Sequence, residues 1–231
     1  MTSSGTYAFA PSIGDLTLNA FARIGLRRPE LQQQHFADAA MEANLLQVEF
    51  SNRGPNLWKT ELYSVSLVQG TASYTLLPRF LAPMAVYMTT APGGSGAPFD
   101  RVLGPLSTFE YAALPDKTVQ APPTSYWYER LETPVIWLWP VPDGSATYTL
   151  NFQMLSQPQD ASIPSGVTPD VPYRWFDAFA AALAARLAAI YKPEMEVVRA
   201  AAAERAWQIA AKEDIEYVPM FLIPGTSGYF Q

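Results

Sequence analysis

The chain has 231 residues, of which 49% are hydrophobic and 16% charged, and this balance is typical of a globular protein with a sizeable core. The absence of cysteine excludes a disulfide framework, a thiolate nucleophile and cysteine-ligated metal centres. A formal net charge of −6 disfavours a protein that wraps nucleic acid, because affinity for DNA comes largely from cationic side chains.

Two helices are predicted at the start of the chain. Ser12 followed by Asp15 resembles a capping box and predicts a helix over about 13–24, ended by Gly25. A second helix is predicted from about residue 29 or 31 to Asn52, because apolar residues recur there at helical spacing. The short connection between the two helices indicates a helical hairpin.

From Thr60 onward the apolar period changes to two, which predicts β-strands. Tyr63 and Val65 alternate with serines, and a turn at Gln69-Gly70 predicts that the next strand returns beside the first. A capping box of Ser107 with Glu110 predicts a short helix. Further strands are predicted at about 84–88, 99–103, 124–130, 135–139 and 146–155. About seven short strands with turns between them indicate an antiparallel sandwich or barrel.

After a Pro/Ser/Gly-rich connection the chain returns to helix, over about 171–191 with Asp170 as N-cap and then over about 194–213. The predicted class is therefore α+β, with a helical bundle from both chain ends, an inserted antiparallel β domain and an extended C-terminal tail. The predicted boundaries are 1–56 and 170–214 for the bundle, 57–156 for the β domain, 157–169 for a linker and 215–231 for the tail.

The sequence offers few groups for catalysis. His35 is the only histidine, so a Ser-His-Asp or Cys-His arrangement would depend on it. It follows three glutamines on the polar side of a helix, where a surface histidine is the expected interpretation. Asp38 and Glu42 are one helical turn apart, where like charges repel mildly and are typical of a solvated face. We therefore predict no enzymatic activity.

Candidate ligand sites are equally sparse. Glu213, Asp214 and Glu216 could bind a hard cation, but they are interpreted as a charged rim. The run Gly93–Gly96 lacks the Lys-Ser/Thr of a phosphate loop. The apolar run Ala178–Ile190 contains Arg186 and is too short to span a bilayer of about 30 Å. No metal, cofactor or membrane segment is predicted.

An aromatic cluster on two neighbouring predicted strands has two interpretations. Because strand side chains alternate between faces, one set fills the core and the other faces outward. The cluster is then either core with cross-strand packing, or an exposed platform for a protein partner or a glycan. Its members are Tyr126, Trp127, Tyr128, Trp137 and Trp139.

The C-terminal tail is the most informative segment, since no charged side chain occurs from Tyr217 to Gln231. Pro219 and Pro224 prevent a continuous helix. Ordering such a segment must be offset by burial of its apolar side chains. The tail either folds back onto its own domain or docks on another subunit, and the second alternative is favoured. The candidate anchors are Tyr217, Val218, Met220, Phe221, Ile223, Tyr229 and Phe230.

A succession of short motifs resembles the head-to-tail adaptor proteins of short-tailed bacteriophages, also called tail tubular protein A-like or head completion proteins. The resemblance covers Leu45 to Ala189, and the order of the motifs carries it. The motifs are N-R-G-P-N-L-W (52–58), G-T-A-S-Y-T-L (70–76), E-Y-A-A-L-P-D-K (110–117), P-P-T-S-Y-W-Y-E (122–129) and I-W-L-W-P-V-P-D (136–143).

This resemblance implies a structural virion protein of the neck, assembled in the host cytoplasm. It implies a homo-oligomeric ring, a dodecamer, below the portal protein that continues the DNA channel, receives the tail nozzle and often tail fibres, and lets DNA pass without sequence-specific binding. The tail residues above are then the candidate portal-binding residues, and Tyr126, Tyr128, Trp137 and Trp139 those for tail components. The alternatives are a carbohydrate-binding β module and a tail-fibre-associated accessory protein.

Overall fold

A computed structural model of the chain describes residues 5–6, 8–54, 57–92, 96–161 and 167–215. These residues form five α-helices and eight β-strands, which confirms the mixed α+β class. The helices are α1 (Ile13–Arg23), α2 (Gln33–Arg53), α3 (Thr108–Ala112), α4 (Phe176–Tyr191) and α5 (Glu196–Lys212). The strands are β1 (Thr60–Ser66), β2 (Ser73–Thr75), β3 (Phe80–Ala91), β4 (Phe99–Val102), β5 (Gly104–Leu106), β6 (Ser125–Glu129), β7 (Val135–Trp139) and β8 (Thr147–Ser156).

The start of α1 follows the local sequence signal. The Asp15 N–H donates to Ser12 Oγ at 3.1 Å, and the Ser12 N–H donates to the Asp15 carboxylate at 3.1 Å. This reciprocal pairing satisfies two backbone donors that a helix N-terminus otherwise leaves without partners. The chain leaves α1 at Gly25, whose φ of +86° is a conformation that favours glycine. The predicted capping box and helix end are both confirmed.

Helices from the two ends of the chain share one hydrophobic core with α4 at its centre. Phe179, Leu183 and Leu187 of α4 are fully buried in it. Helices α1, α2 and α5 all pack on α4. Phe21 of α1 contacts His35 and Phe36 of α2 edge to face, while each of the two helices packs more extensively on α4, and the hairpin itself stays a prediction.

The start of α4 differs from the sequence prediction. A 3₁₀ turn, Tyr173–Trp175, precedes α4, and the predicted N-cap Asp170 lies outside both. The Asp170 carboxylate instead accepts hydrogen bonds from Lys59 Nζ at 2.7 Å and from the Gln159 N–H at 2.8 Å. A charged partner that is distant in the sequence therefore takes the place of the local capping interaction.

The strands form two four-stranded sheets. The first has the order β1-β8-β3-β4 and is antiparallel, and the second has the order β2-β7-β6-β5, in which β5 runs parallel to β6. Their inner faces meet in a second core that contains Leu150 and Phe152 of the first sheet with Ile136 and Leu138 of the second. The described strands thus form a sandwich and not a closed barrel.

One prediction about the strands is wrong, and one strand was not predicted. β2 does not pair with β1. Strand β1 pairs with β8, with Tyr63 opposite Phe152, and β2 pairs with β7, with Ser73 opposite Trp137. The turn at Gly70, whose N–H donates to the Pro142 carbonyl at 2.9 Å, instead leads the chain from one sheet to the other. Strand β5 was missed because three residues with a central proline give no alternating pattern.

The predicted domain boundaries stay predictions, and residues 162–166 of the linker lie outside the described residues.

Candidate docking surfaces

The outer face of the second sheet carries a row of aromatic side chains. Trp127 of β6 and Trp137 of β7 are direct cross-strand partners with ring centroids 6.1 Å apart. Tyr111 of α3 stacks on Trp127 at 4.9 Å, so α3 covers one end of the row. Trp139 continues the same face of β7. We call the half-buried Trp127, Trp137 and Trp139, with the buried Tyr111 beneath them, the aromatic surface.

The four aromatic residues predicted to bind tail components divide between the two faces of the sheet. Tyr126 is buried in the core, and the half-buried Tyr128 donates its hydroxyl to the Phe80 carbonyl at 3.0 Å between the sheets. Trp137 and Trp139 lie on the outer face. Alternation along the strands therefore sends Tyr126 and Tyr128 to the core face and the half-buried Trp127, Trp137 and Trp139 to the outer face. Tyr126 and Tyr128 thus lie on the core side of the sheet, and their part in binding tail components stays a prediction.

Trp127 and Tyr111 were not among the residues predicted to bind tail components. Trp127 could have been found, because its position between Tyr126 and Tyr128 places it on the opposite face in any β-strand. Tyr111 has no such signal, since only the fold brings α3 over β6. Desolvation by burial raises the pKa of Tyr111, and the negative charge of Glu129 adds to the shift.

Hydrogen bonds hold the two outer tryptophans of β7 in place. The Trp137 indole N–H donates to the Glu129 carboxylate at 2.9 Å, and the Trp139 indole N–H donates to the Asp116 carbonyl at 3.0 Å. With these polar atoms satisfied, the apolar parts of the half-buried rings that reach solvent are available for contact with a partner. A pre-ordered aromatic surface of this kind binds at low cost in conformational entropy.

The candidate portal-binding residues, Tyr217 to Phe230, lie outside the described residues. The described chain ends at Ile215, which lines a hollow of about 300 Å³ together with Trp175, Trp207 and the end of α2. Arg53 of α2 lies over the Trp207 ring, 4.7 Å from its centroid. The tail therefore starts beside the C-terminal end of α2.

The groups that resembled catalytic residues have structural roles. His35 accepts a hydrogen bond from the Gln32 N–H at Nδ1, at 3.0 Å, and stacks on Tyr191 with centroids 4.7 Å apart. The Asp38 carboxylate accepts the hydroxyl of Tyr191. Glu42 pairs with Arg186 of α4 at 2.8 Å. Within α2 these groups therefore attach the helix to α4, and His35 is more tightly packed than a surface histidine.

No arrangement of ligands for a metal ion was found among the residues that the structure describes. The Asp214 carboxylate pairs with Arg174 at 2.7 Å, while Glu216 lies outside the described residues, as do residues 93–95 of the glycine-rich run. Over the same part of the chain, no helix combines the length and the apolarity needed to cross a bilayer.

A family model described as SU10 adaptor protein matches residues 12–219. The chain belongs to the SU10 adaptor protein family, and it is thereby a phage structural protein of the virion neck. The match confirms the resemblance and extends it beyond Leu45–Ala189 at both ends. It includes the first tail residues, Tyr217–Pro219, and stops before residues 220–231. No curated protein matches the chain.

Proposed function

We propose that this protein forms a homo-oligomeric ring, a dodecamer, that joins the portal to the tail nozzle and continues the DNA channel. The helical core packs laterally between neighbouring subunits, the C-terminal tail clasps the portal, and the sandwich faces tail components. The observation that carries the proposal is an uncharged apolar tail attached to the body of an adaptor-family protein.

The tail has the chemistry of a docking segment. Its apolar side chains include Met220, Phe221 and Tyr229, and aromatic and Met side chains are common interface anchors. Full burial of four such anchors contributes on the order of 6–12 kcal/mol before ordering costs. Prolines at 219 and 224 restrict the free segment and so reduce those costs. This energy is sufficient to hold a subunit on a partner.

The net negative charge of the chain suits a subunit that lines a channel for DNA. A net charge of −6 repels the phosphate backbone, so DNA passes without adhering to the protein. Sequence-specific binding is not expected, because base readout is normally accompanied by many cationic contacts to phosphates.

The aromatic surface is the candidate contact for the tail nozzle or for fibres. It is rigid, and its indole N–H groups on β7 already have partners. A partner that covers it therefore gains apolar contact without leaving these donors unpaired.

Co-sedimentation with the portal protein tests the clasp. Deletion of Tyr217–Gln231 is expected to abolish binding. A double substitution, Phe221→Asp with Ile223→Asp, should weaken binding by at least about a hundredfold, because it removes two anchors and introduces two charges to be desolvated.

The matched control is Thr226→Asp with Ser227→Asp, which adds the same charge to the same tail without removing an apolar anchor. It should bind the portal within about threefold of the unaltered chain. Undiminished binding after the deletion would show that the tail is not the clasp. Electron microscopy of the chain mixed with portal then reports whether a ring forms.

A carbohydrate-binding module is the second candidate, and the aromatic surface is the observation that favours it. Sugar rings stack on aromatic faces, and the half-buried Trp139 lies on the outer face of the second sheet. A glycan array distinguishes the two functions: a signal that Trp139→Ala removes would support the module, while a blank array eliminates it.

A further inference from the structure

A groove runs along the solvent side of α2. Residues 44–52 of α2 form one wall, and Leu81 of β3 with the 157–160 segment forms the other. The hollow has a volume of about 210 Å³. We call it the α2 groove. It lies between the helical core and the sandwich, and it is separate from the aromatic surface on the second sheet.

The groove continues into an exposed apolar stripe on α2. Met41, Leu45 and Val48 follow one another at helical spacing and are 62%, 45% and 57% exposed. A helix with one apolar face in the core normally presents polar side chains on the other face. The second apolar face of α2 is therefore not accounted for by packing among the described residues, and an apolar patch of this kind is typical of a surface that binds another segment.

The charged side chains of α2 turn away from this stripe. Glu42 and Glu49 both pair with Arg186 on α4, and Asp38 pairs with Tyr191. Asp160, at the rim, is the one charged residue that lines the groove within the described residues. A segment that covers the groove thus displaces water from apolar surface without desolvating an ion pair.

We propose that, in the free subunit, the α2 groove holds the first part of the chain's own tail, Tyr217–Ile223. This segment is uncharged and contains Val218, Met220, Phe221, Leu222 and Ile223, so its chemistry matches an uncharged apolar groove. Pro219 favours the extended backbone that a narrow groove requires. The inference depends on the proposed function in one respect, which is that the portal competes with the α2 groove for the same tail.

The position of the described C-terminus makes this occupant geometrically suitable. Ile215 lines a hollow with Arg53 and Gly54, which close the C-terminal end of α2. Val48 lies about 7.5 Å back along the helix axis from Arg53. An extended Tyr217–Ile223 segment spans about 23 Å, which is enough to pass around a helix of about 10 Å diameter and to follow the groove.

Amide side chains on both walls provide hydrogen bonds for the incoming backbone. Within the described residues, the side-chain amides of Asn52 and Gln157 have no hydrogen-bond partner, and both line the groove. An extended segment presents its N–H and C=O groups to either side, where such amides can pair with them. The tail would in this way be sheltered until the portal offers stronger contacts.

Cysteine pairs test the proposal directly, because the chain has no native cysteine. The variant Leu45→Cys with Phe221→Cys should form an intramolecular disulfide under mild oxidation. The control is Val197→Cys with Phe221→Cys, since Val197 is 81% exposed on α5, at a distance of about 22 Å along that helix from Lys212. We expect cross-linking within the monomer to be at least about tenfold faster for the groove pair.

Equal rates for the two pairs would overturn the proposal, since they would mean that the tail samples the surface at random. A disulfide between two chains would also overturn it and would show that the groove receives the tail of a second copy. Non-reducing electrophoresis with mass spectrometry separates these outcomes.

A second measurement uses proteolysis of the tail in the full chain. Val48→Glu places a charge in the groove, and chymotryptic cleavage at Phe221 should become about tenfold faster, because cleavage follows the population of the open form. Val197→Glu adds the same charge outside the groove and should leave the rate unchanged. Equal cleavage of Val48→Glu and the unaltered chain would contradict the proposal. If the groove disulfide forms but the tail does not bind the portal, only the proposed function fails.

Discussion

The guanidinium of Arg186 on α4 lies 2.8 Å from the carboxylate of Glu42 on α2. Its other terminal nitrogen lies 2.8 Å from Glu49, so one cation joins two turns of α2 to α4. Burial lowers the pKa of Arg186, but hydrogen bonds with Glu49 and Glu42 outweigh this effect and raise it above its ordinary value. This ion pair network links a helix from the start of the chain to one near its end.

Arg186→Leu should destabilise the protein by about 1–3 kcal/mol, because Glu42 would lose its cationic partner and Glu49 would keep only Arg53, whose Nε lies 3.3 Å away. Urea unfolding at low ionic strength measures the change. Arg205→Leu is the control, since Arg205 is exposed on α5 and forms no ion pair with the described residues. A loss no larger than that of the control would show that the network contributes little.

Tyr191 makes the free energy of unfolding depend on pH in the alkaline range. Burial is the main reason that the pKa of Tyr191 rises to about 12, and the hydrogen bond to Asp38 adds to it. Because a pKa raised above the ordinary value of 10 favours the neutral form in the fold, its contribution is complete below pH 10. It is lost as pH rises from 10 through 12.

Tyr191→Phe should therefore be less stable than the unaltered chain at pH 7, by about 1–2 kcal/mol for one hydrogen bond to a charged group. The difference should shrink between pH 10 and 12, because only the unaltered chain has this tyrosine to ionise. Urea unfolding at a series of pH values measures it. A difference that stays constant across this range would contradict the assignment.

A chain of hydrogen bonds crosses the outer face of the first sheet through Asn151 of β8. Ser64 Oγ donates to Asn151 Oδ1 at 2.6 Å, Asn151 Nδ2 donates to Thr89 Oγ1 at 2.8 Å, and Thr89 Oγ1 donates to Asp100 at 2.6 Å. Asn151→Leu should cost about 1–3 kcal/mol, because Ser64 and Thr89 would both lose their hydrogen bond to Asn151, which is 8% exposed. Thermal unfolding measures the loss, and Gln153→Leu, on the same face but exposed, should change stability by less than about 0.5 kcal/mol.

Substitutions in the aromatic surface test whether its rings bind the tail nozzle. Trp139→Ala is expected to weaken binding to the tail nozzle by about thirtyfold, as for an aromatic interface anchor, and circular dichroism at the assay temperature checks that the variant is folded. Phe109→Ala removes a ring that is 81% exposed on α3 outside the row and should leave binding unchanged. Surface plasmon resonance measures both. If Trp139→Ala binds the nozzle as the unaltered chain does, the aromatic surface has another role.

Short sequence patterns predicted most helices and strands, because these elements are determined by residues close together in the chain. The capping boxes at Ser12 and Ser107 form with the predicted partners, Asp15 and Glu110. Alternation along β8 also placed Leu150 and Phe152 on the core face. These features depend on residues a few positions apart, so the chain itself contains the information.

Strand partners and sheet membership did not follow from the sequence. The pairing of β1 with β8 joins Thr60 to Leu155, and a turn signal at Gly70 contains no information about that distant strand. The same holds for Asp170, whose partner Lys59 belongs to the other half of the chain.

The sequence by itself determined the α+β class, the two helix starts capped by Ser12 and Ser107, the adaptor resemblance and the uncharged tail, because each depends on residue type and short-range spacing. The tertiary structure alone decided that the strands form a sandwich of two sheets, that Tyr126 turns inward while Trp127 and Trp139 face outward, and that α2 keeps a second apolar face. Those outcomes depend on which distant segments pack together, and the packing free energy is shared among residues that no local pattern connects.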